Sequence, residues 1–208
     1  MARVRATRTL ENALRRWGFY LVAGCDEVGR GCLAGPVVAG AVILDTERHI
    51  PGLADSKALT GAERERLSAL ITERALAWSV ATLEVDEIDR LNIHRASLEA
   101  MRRAVLALAP LPAMVLVDAF RIPELPMAQR GVVGGDRRCA AIAAASIVAK
   151  VTRDRRMLEQ HALDPRYGYD RHKGYATAEH RAAVERFGYS ALHRRTFRPQ
   201  AGLFDRID

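Results

Sequence analysis

Ala23-Gly24-Cys25-Asp26-Glu27-Val28-Gly29-Arg30-Gly31-Cys32-Leu33-Ala34-Gly35-Pro36 sets two adjacent acids against a Gly-Arg-Gly turn. Apolar runs flank this stretch and read as strands, Phe19 to Cys25 before it and Pro36 to Leu44 after it. The acids therefore stand in the mouth between two strands, where sites are commonly built. Carboxylate oxygens suit a hard divalent cation, and glycine lets the backbone approach a sugar or phosphate closely. A tight strand-to-strand turn is the plain reading of Gly29-Arg30-Gly31, and the two roles are compatible.

Outward from that stretch, helix and strand signals alternate. Ala6 to Trp17 predicts a short leading helix. The loop Leu53 to Leu59, with Asp55-Ser56-Lys57, runs into Thr60-Gly61-Ala62-Glu63, a capping box for a helix turning Leu67, Leu70 and Ile71 inward. Ala77 to Leu83 reads as a strand, and Asn92 caps a helix bearing Leu98, Met101, Val105 and Leu108 until Pro110. Ala113 to Val117 is wholly apolar and ends on Asp118, as a central strand buried on both faces would. Gly131 to Gly135 leads to Asp136, and Ala140 to Lys150 is an alanine-rich helix whose small side chains predict close approach to a sheet. A loop from Asp164 to Tyr175 precedes a helix capped by Thr177 and stopped by Gly188.

With 208 residues and 49% hydrophobic content, the chain can bury a sizeable core. The formal charge of +7 favours a polyanionic partner, so nucleic acid is the expected one. Three cysteines without zinc-like spacing point to reduced, buried thiols. The N-terminus lacks a signal-peptide core and no apolar run is long enough for a membrane span. A cytoplasmic monomer without membrane contact is expected. Only Lys57, Lys150 and Lys173 are lysines among 32 basic residues, and Lys57 and Lys173 lie inside motif-like strings.

Asp26, Glu27, Asp118 and Asp136 each adjoin a strand end or glycine turn. If the strands bearing Asp26 and Asp118 are neighbours, these carboxylates converge on one sheet edge and require cations, Mg²⁺ or Mn²⁺. Two such ions suit phosphodiester hydrolysis. Two adjacent strand residues point to opposite faces, so for Asp26 and Glu27 to reach one ion the strand must end or twist there. Taken singly each acid also reads as a cap or surface charge, and Asp136 in particular as a helix N-cap. His172-Lys173-Gly174-Tyr175 joins two cations to an aromatic, a composition for phosphate contact and stacking. His94, His161, His180 and His193 lack zinc-ligand spacing and read as helix-surface or loop residues.

These strings, in this order and with the Ala143-Ala144-Ala145-Ser146 segment, resemble bacterial ribonuclease HII over roughly residues 20 to 198. The resemblance implies an α/β fold, a ribonuclease H-like mixed β-sheet flanked by α-helices with a small helical C-terminal part. It divides the chain into a leader at 1–17, a catalytic domain at 18–198 and a tail at 199–208. It also implies endonucleolytic hydrolysis of RNA in RNA/DNA hybrids and 5′ to ribonucleotides within duplex DNA, leaving 3′-hydroxyl and 5′-phosphate ends. By resemblance Asp26, Glu27, Asp118 and Asp136 hold two divalent ions, Gly29, Arg30 and Gly31 read the 2′-hydroxyl, and Tyr175 stacks on the adjacent deoxyribose. Lys57 then lies near backbone phosphates, and Lys173 joins the substrate contacts. Two positions depart from the family pattern, Asp118-Ala119 where Asp-Gly is frequent and Gly134-Gly135-Asp136 where Lys-Gly-Asp is frequent. Gln200-Ala201-Gly202-Leu203-Phe204 is similar to peptides that dock bacterial sliding clamps. Two rival readings stay open at this level, a basic nucleic-acid-binding protein with structural acids, and a DNA nuclease or other polynucleotidyl transferase on the same fold.

Overall fold

The computed structural model describes residues 5–197. Strands β1 (Val22–Val28), β2 (Val37–Leu44), β3 (Ala75–Leu83), β4 (Met114–Asp118) and β5 (Ala128–Val132) form one sheet in the order β3-β2-β1-β4-β5. The β1/β2 and β2/β3 pairs are antiparallel, whereas β1/β4 and β4/β5 are parallel, so the sheet is mixed. The helices are α1 (Thr9–Arg16), α2 (Gly61–Arg74), α3 (Val85–Leu91), α4 (Ile93–Leu106), α5 (Gly135–Arg138), α6 (Ala140–Leu163), α7 (Tyr169–His172) and α8 (Ala178–Phe187).

Strand alternation divides the core into two layers. Val22, Val42 and Leu116 face α6 and the Leu67 and Ile71 side of α2. Ala23, Cys25, Ala41, Val115 and Val117 face α4, against Ala96, Ala100, Met101 and Ala104. The alanines of α6 permit the close approach their size predicts. A Cβ on Gly24 would stand 2.1 Å from the Ala141 carbonyl carbon, and one on Gly40 2.4 Å from Ala145 O. A third cluster, Ala34, Met157, Tyr167 and Tyr169, joins the C-terminal segment to the end of α6.

Capping follows the sequence at Thr60, Asn92 and Thr177, whose side chains accept from Glu63, Arg95 and His180 amides. The start of α6 is capped from a distance, because Cys139 has no side-chain capping bond and the Ala141 amide donates to Glu11 Oε1 at 2.8 Å. Through this bond and buried Leu14, α1 packs into the domain, although the sequence places it in a leader.

Several elements differ from the sequence reading: α6 runs on past Lys150 to Leu163, and α7 falls inside the stretch from Asp164 to Tyr175 that reads as a loop. β1 does not stop at Cys25 but stays in regular register with β2 to Val28↔Val38. β5 was not anticipated, because Ala128-Gln129-Arg130-Gly131-Val132 is a mostly exposed edge strand without apolar alternation. α3 was hidden beside the Asn92 cap, although Glu84 and Glu87 form a capping box for it; Asn92, at φ 66°, makes the corner into α4. The three thiols are buried and free, and among the described residues no helix is long and apolar enough to cross a membrane.

Candidate active site

Parallel pairing aligns Cys25 with Val117, so Asp26 and Asp118 occupy matching positions at the ends of neighbouring strands. Pairing of β1 with β4 stops there while pairing with β2 continues to Val28, leaving one side of Asp26 and Glu27 open. Asp26 shares a strand face with Gly24 and therefore points toward α6, where the Ser146 hydroxyl acts on its carboxyl and favours the charged form. Ser146 Oγ in turn lies 3.0 Å from Ser56 Oγ, next to Lys57. Glu27 shares the opposite face with Cys25, whose thiol donates to Met101 O of α4. The strand therefore does not end at the acids, one of the two ways the sequence reading offered for both to reach one ion; it runs out of a neighbour on the β4 side while its pairing with β2 goes on.

Asp118 Oδ1 accepts the Gly135 amide at 2.7 Å, which ties the end of β4 to the turn carrying Asp136. Asp136 lies within α5 and does not cap it, because Gly134 occupies the cap position of α5 and Cys139 that of α6. Lys57 Nζ stands 3.7 Å from Asp136 Oδ2, and its side chain is 82% exposed, so it projects from the acidic mouth. The Asp55 carboxylate shapes that loop by accepting the Lys57 amide at 2.9 Å.

The electrostatics fit a divalent cation. Burial, then the Glu27 charge, push the Asp26 carboxyl well up from its ordinary range, and Asp118 adds to the effect. Burial raises Glu27 as well, opposed by Arg30, whose guanidinium lies 3.8 Å away. Asp136 is raised by burial, then by Asp55 and Asp118, and lowered by Lys57. Acids that disfavour one another's ionisation in a half-buried mouth are a donor set that a hard cation stabilises. Among the described residues no three His, Cys, Asp or Glu side chains already close around a single point; Asp118 is the acid whose charge acts on each of the other three.

The Gly29–Gly31 turn leaves this mouth and meets the segment bearing Tyr175. Leu33 donates its amide to Gly174 O at 2.9 Å, and Cys32 and Tyr175 form an antiparallel bridge. Gly29 (φ 90°) and Gly174 (φ 86°) both need glycine, and a Cβ on Gly174 would lie 2.3 Å from Ala34 O. Arg30 stacks 4.8 Å from the Phe120 ring and hydrogen-bonds His94 Nδ1 at 3.1 Å. Tyr175 is 38% exposed, with the Lys150 ammonium 5.6 Å from its ring centroid. Lys150 is not a solvated surface group, since it donates to Asp154 at 2.6 Å with its side chain largely covered. Lys173 is placed apart from the four acids, at the end of α7, its ammonium donating back to Asp170 O of that helix.

Two of the histidines read as surface or loop residues are buried. His180 Nδ1 donates to Tyr175 O at 2.9 Å, His193 Nε2 donates to His180 Nε2 at 3.1 Å, and His193 Nδ1 accepts the Ser190 amide at 2.9 Å. His172 Nε2 donates to Tyr167 O and its Nδ1 accepts the Gly174 amide. Every ring thus has one donor and one acceptor nitrogen, the pattern of neutral imidazole. Sequence spacing carried no sign of this cluster, which joins residues from the 164–175 loop, α8 and the segment after it.

A mixed sheet whose adjacent parallel strands present carboxylates at their ends, beside a glycine turn, defines a metal-dependent nuclease of the ribonuclease H fold. The ribonuclease H2 of Pyrococcus horikoshii OT3 superposes with a TM-score of 0.72 at 27% identity, covering 85% of this chain and 93% of that one. Ribonuclease HII of Archaeoglobus fulgidus, solved as a complex with PCNA, gives a TM-score of 0.74 at 24% identity over 89% of this chain and 98% of that one. The ribonuclease HII family profile matches residues 23–199. Ribonuclease HII of Dechloromonas aromatica (strain RCB) is 57% identical over 181 residues, 87% of this chain and 92% of that protein. The chain belongs to the ribonuclease HII family and is an enzyme, which removes the reading of a binding protein with purely structural acids.

Proposed function

We propose that this enzyme hydrolyses the RNA strand of RNA/DNA hybrids and incises duplex DNA 5′ to an embedded ribonucleotide, leaving 3′-hydroxyl and 5′-phosphate ends. The observation that carries this reading is the register that sets Asp26 beside Asp118, with Asp136 tied in through Gly135. Asp26, Glu27, Asp118 and Asp136 would hold two divalent ions, Mg²⁺ or Mn²⁺. Such ions supply charge neutralisation and Lewis acidity at a phosphodiester.

The chain's own residues do the rest. The Gly29–Gly31 turn brings bare backbone to the ribose and its 2′-hydroxyl, the group that distinguishes RNA from DNA. Tyr175 offers an aromatic face to the neighbouring deoxyribose, and its backbone contact with Cys32 links it to that turn. Lys57 projects its ammonium toward a backbone phosphate while touching Asp136. Lys173 contributes positive charge to the same strand path, although its ammonium first has to leave Asp170 O.

The test is cleavage of a labelled duplex containing one ribonucleotide beside an all-DNA duplex and a long hybrid, with Mg²⁺ or EDTA. Metal-dependent incision 5′ to the ribonucleotide supports the reading. Equal cutting of the all-DNA duplex would instead favour the DNA-nuclease reading. Binding should weaken with salt at a log-log slope of about −0.9 per neutralised phosphate.

We further propose a monomer in the cytoplasm that docks a sliding clamp through Gln200 to Phe204, which lies outside the described residues. The archaeal relative solved with PCNA lends support by analogy. Clamp binding unchanged on deleting residues 199–208 would remove the docking proposal, and sedimentation tests the monomer.

A further inference from the structure

Two arginines far apart in sequence are wholly buried, at 0% exposure, and among the described residues neither forms an ion pair with a carboxylate. Arg153, on α6, donates from Nε to Pro36 O at 2.9 Å, from Nη2 to Ala34 O at 3.1 Å and from Nη1 to Lys173 O at 2.8 Å. Arg194 donates to Gly29 O at 2.7 Å, to Arg30 O at 3.1 Å, and twice to Gly35 O, at 3.0 and 2.8 Å. Its own amide donates to Leu33 O at 2.9 Å.

Every carbonyl they engage belongs to the 29–36 turn or to Lys173, beside Tyr175. A buried guanidinium needs all its donors satisfied, and its rigid fork fixes the separation of the carbonyls it spans. Arg153 bridges the two segments directly, while Arg194 fastens the Gly29–Gly31 side to the chain after His193. Arg153 also presses on the turn, since a Cβ on Gly29 would meet its Nε at 2.2 Å. Neither arginine reaches the acidic mouth.

We propose that Arg153 and Arg194 are positioning residues that set the spacing between the Gly29–Gly31 turn and Tyr175, and through it the preference for a ribose-to-deoxyribose step. This rests on the substrate reading above. A single embedded ribonucleotide presents its 2′-hydroxyl and the next deoxyribose at one fixed separation, so both segments must be in register. A continuous RNA strand offers a 2′-hydroxyl at every step and makes no such demand.

The test measures kcat and KM for Arg153→Lys and Arg194→Lys on the single-ribonucleotide duplex and on a long hybrid. Lysine keeps the charge and loses the fork. The expected result is a fall of roughly tenfold or more in kcat/KM on the single-ribonucleotide duplex relative to the hybrid. Gly174→Ala, whose Cβ forces away Ala34 O, the acceptor of Arg153 Nη2, while leaving both arginine side chains in the chain, should produce the same selective loss even where the lysine variants fold poorly. Faster labelling of Cys32 by a thiol reagent should accompany it, because Cys32 is buried where it bridges Tyr175. Equal losses on both substrates, or none in a folded variant, would overturn the positioning role alone. A parent enzyme that cuts neither substrate would overturn the substrate reading and this inference with it.

Discussion

Gly135 donates its backbone N–H to Asp118 Oδ1 at 2.7 Å, so the acid at the end of β4 holds in place the turn that carries the next acid, Asp136. The contact is tight, because a Cβ on Gly135 would lie 2.5 Å from the end of the Ile142 side chain and 3.2 Å from the same carboxylate oxygen. An Asn at 118 keeps an oxygen for the Gly135 amide but removes the charge. Asp118→Asn should therefore melt close to the parent temperature while activity falls by about 100-fold or more, the loss that the metal-holding role proposed for Asp118 predicts. Thermal unfolding and cleavage kinetics on one preparation check both halves.

Gly24 and Gly40 let α6 lie against the sheet. Because the obstructing atoms, Ala141 C at 2.1 Å and Ala145 O at 2.4 Å, are backbone, no rotamer change can make room. Gly24→Ala and Gly40→Ala should each destabilise the enzyme by about 3 kcal/mol, the upper end for overpacking. Denaturant melts would show a reduced midpoint with an unchanged slope. The same change at Gly61, where a Cβ meets nothing, should leave the midpoint within about 0.5 kcal/mol of the parent.

The buried histidines make stability depend on pH. Burial, followed by the neighbouring His180, lowers His193 from 6.5 to about 4, and burial also lowers His172 and His180. These groups are neutral in the folded protein and take up protons more readily when it unfolds. Their contribution is complete above the unfolded value near 6.5 and is lost as pH falls toward about 4. The loss attributable to His193 approaches roughly 3 kcal/mol. Other groups near this cluster are Glu179, Arg171 and Asp170 beside His172. Melting curves between pH 7 and 4 should show the decline, and His193→Gln should flatten it.

Ala119 follows Asp118 with φ 56°, and the Phe120 amide donates back to Asp118 O at 2.7 Å, so the chain reverses within three residues. A left-handed alanine costs about 1 kcal/mol, and glycine recovers part of that after its greater unfolded-state freedom is counted. Ala119→Gly should raise stability by about 0.5 kcal/mol and the melting temperature by about 1–2 °C, with activity retained. A lowered melting temperature would contradict this account of the turn.

Much of the site was legible in the chain itself. Asp26, Glu27 and Asp118 stood out because apolar runs led into them, and the alanine run of α6 announced its close contact with the sheet through side-chain size. Periodicity and capping residues are local signals, and they located most helices and the inner strands. β5 escaped because an exposed edge strand needs no apolar alternation, and α3 escaped because its end coincides with the Asn92 cap of the next helix.

The sequence alone determined the residue types at the mouth, the glycines that its turns require and the basic charge that suits a polyanion. Tertiary structure decided which acids meet, because parallel register between β1 and β4 brings together residues 92 positions apart. It also decided that Arg153, Arg194, His180 and His193 are interior groups. Their burial follows from carbonyls and rings supplied by distant segments, as when Arg194 reaches Gly29 across 165 positions, and no local pattern encodes such partners.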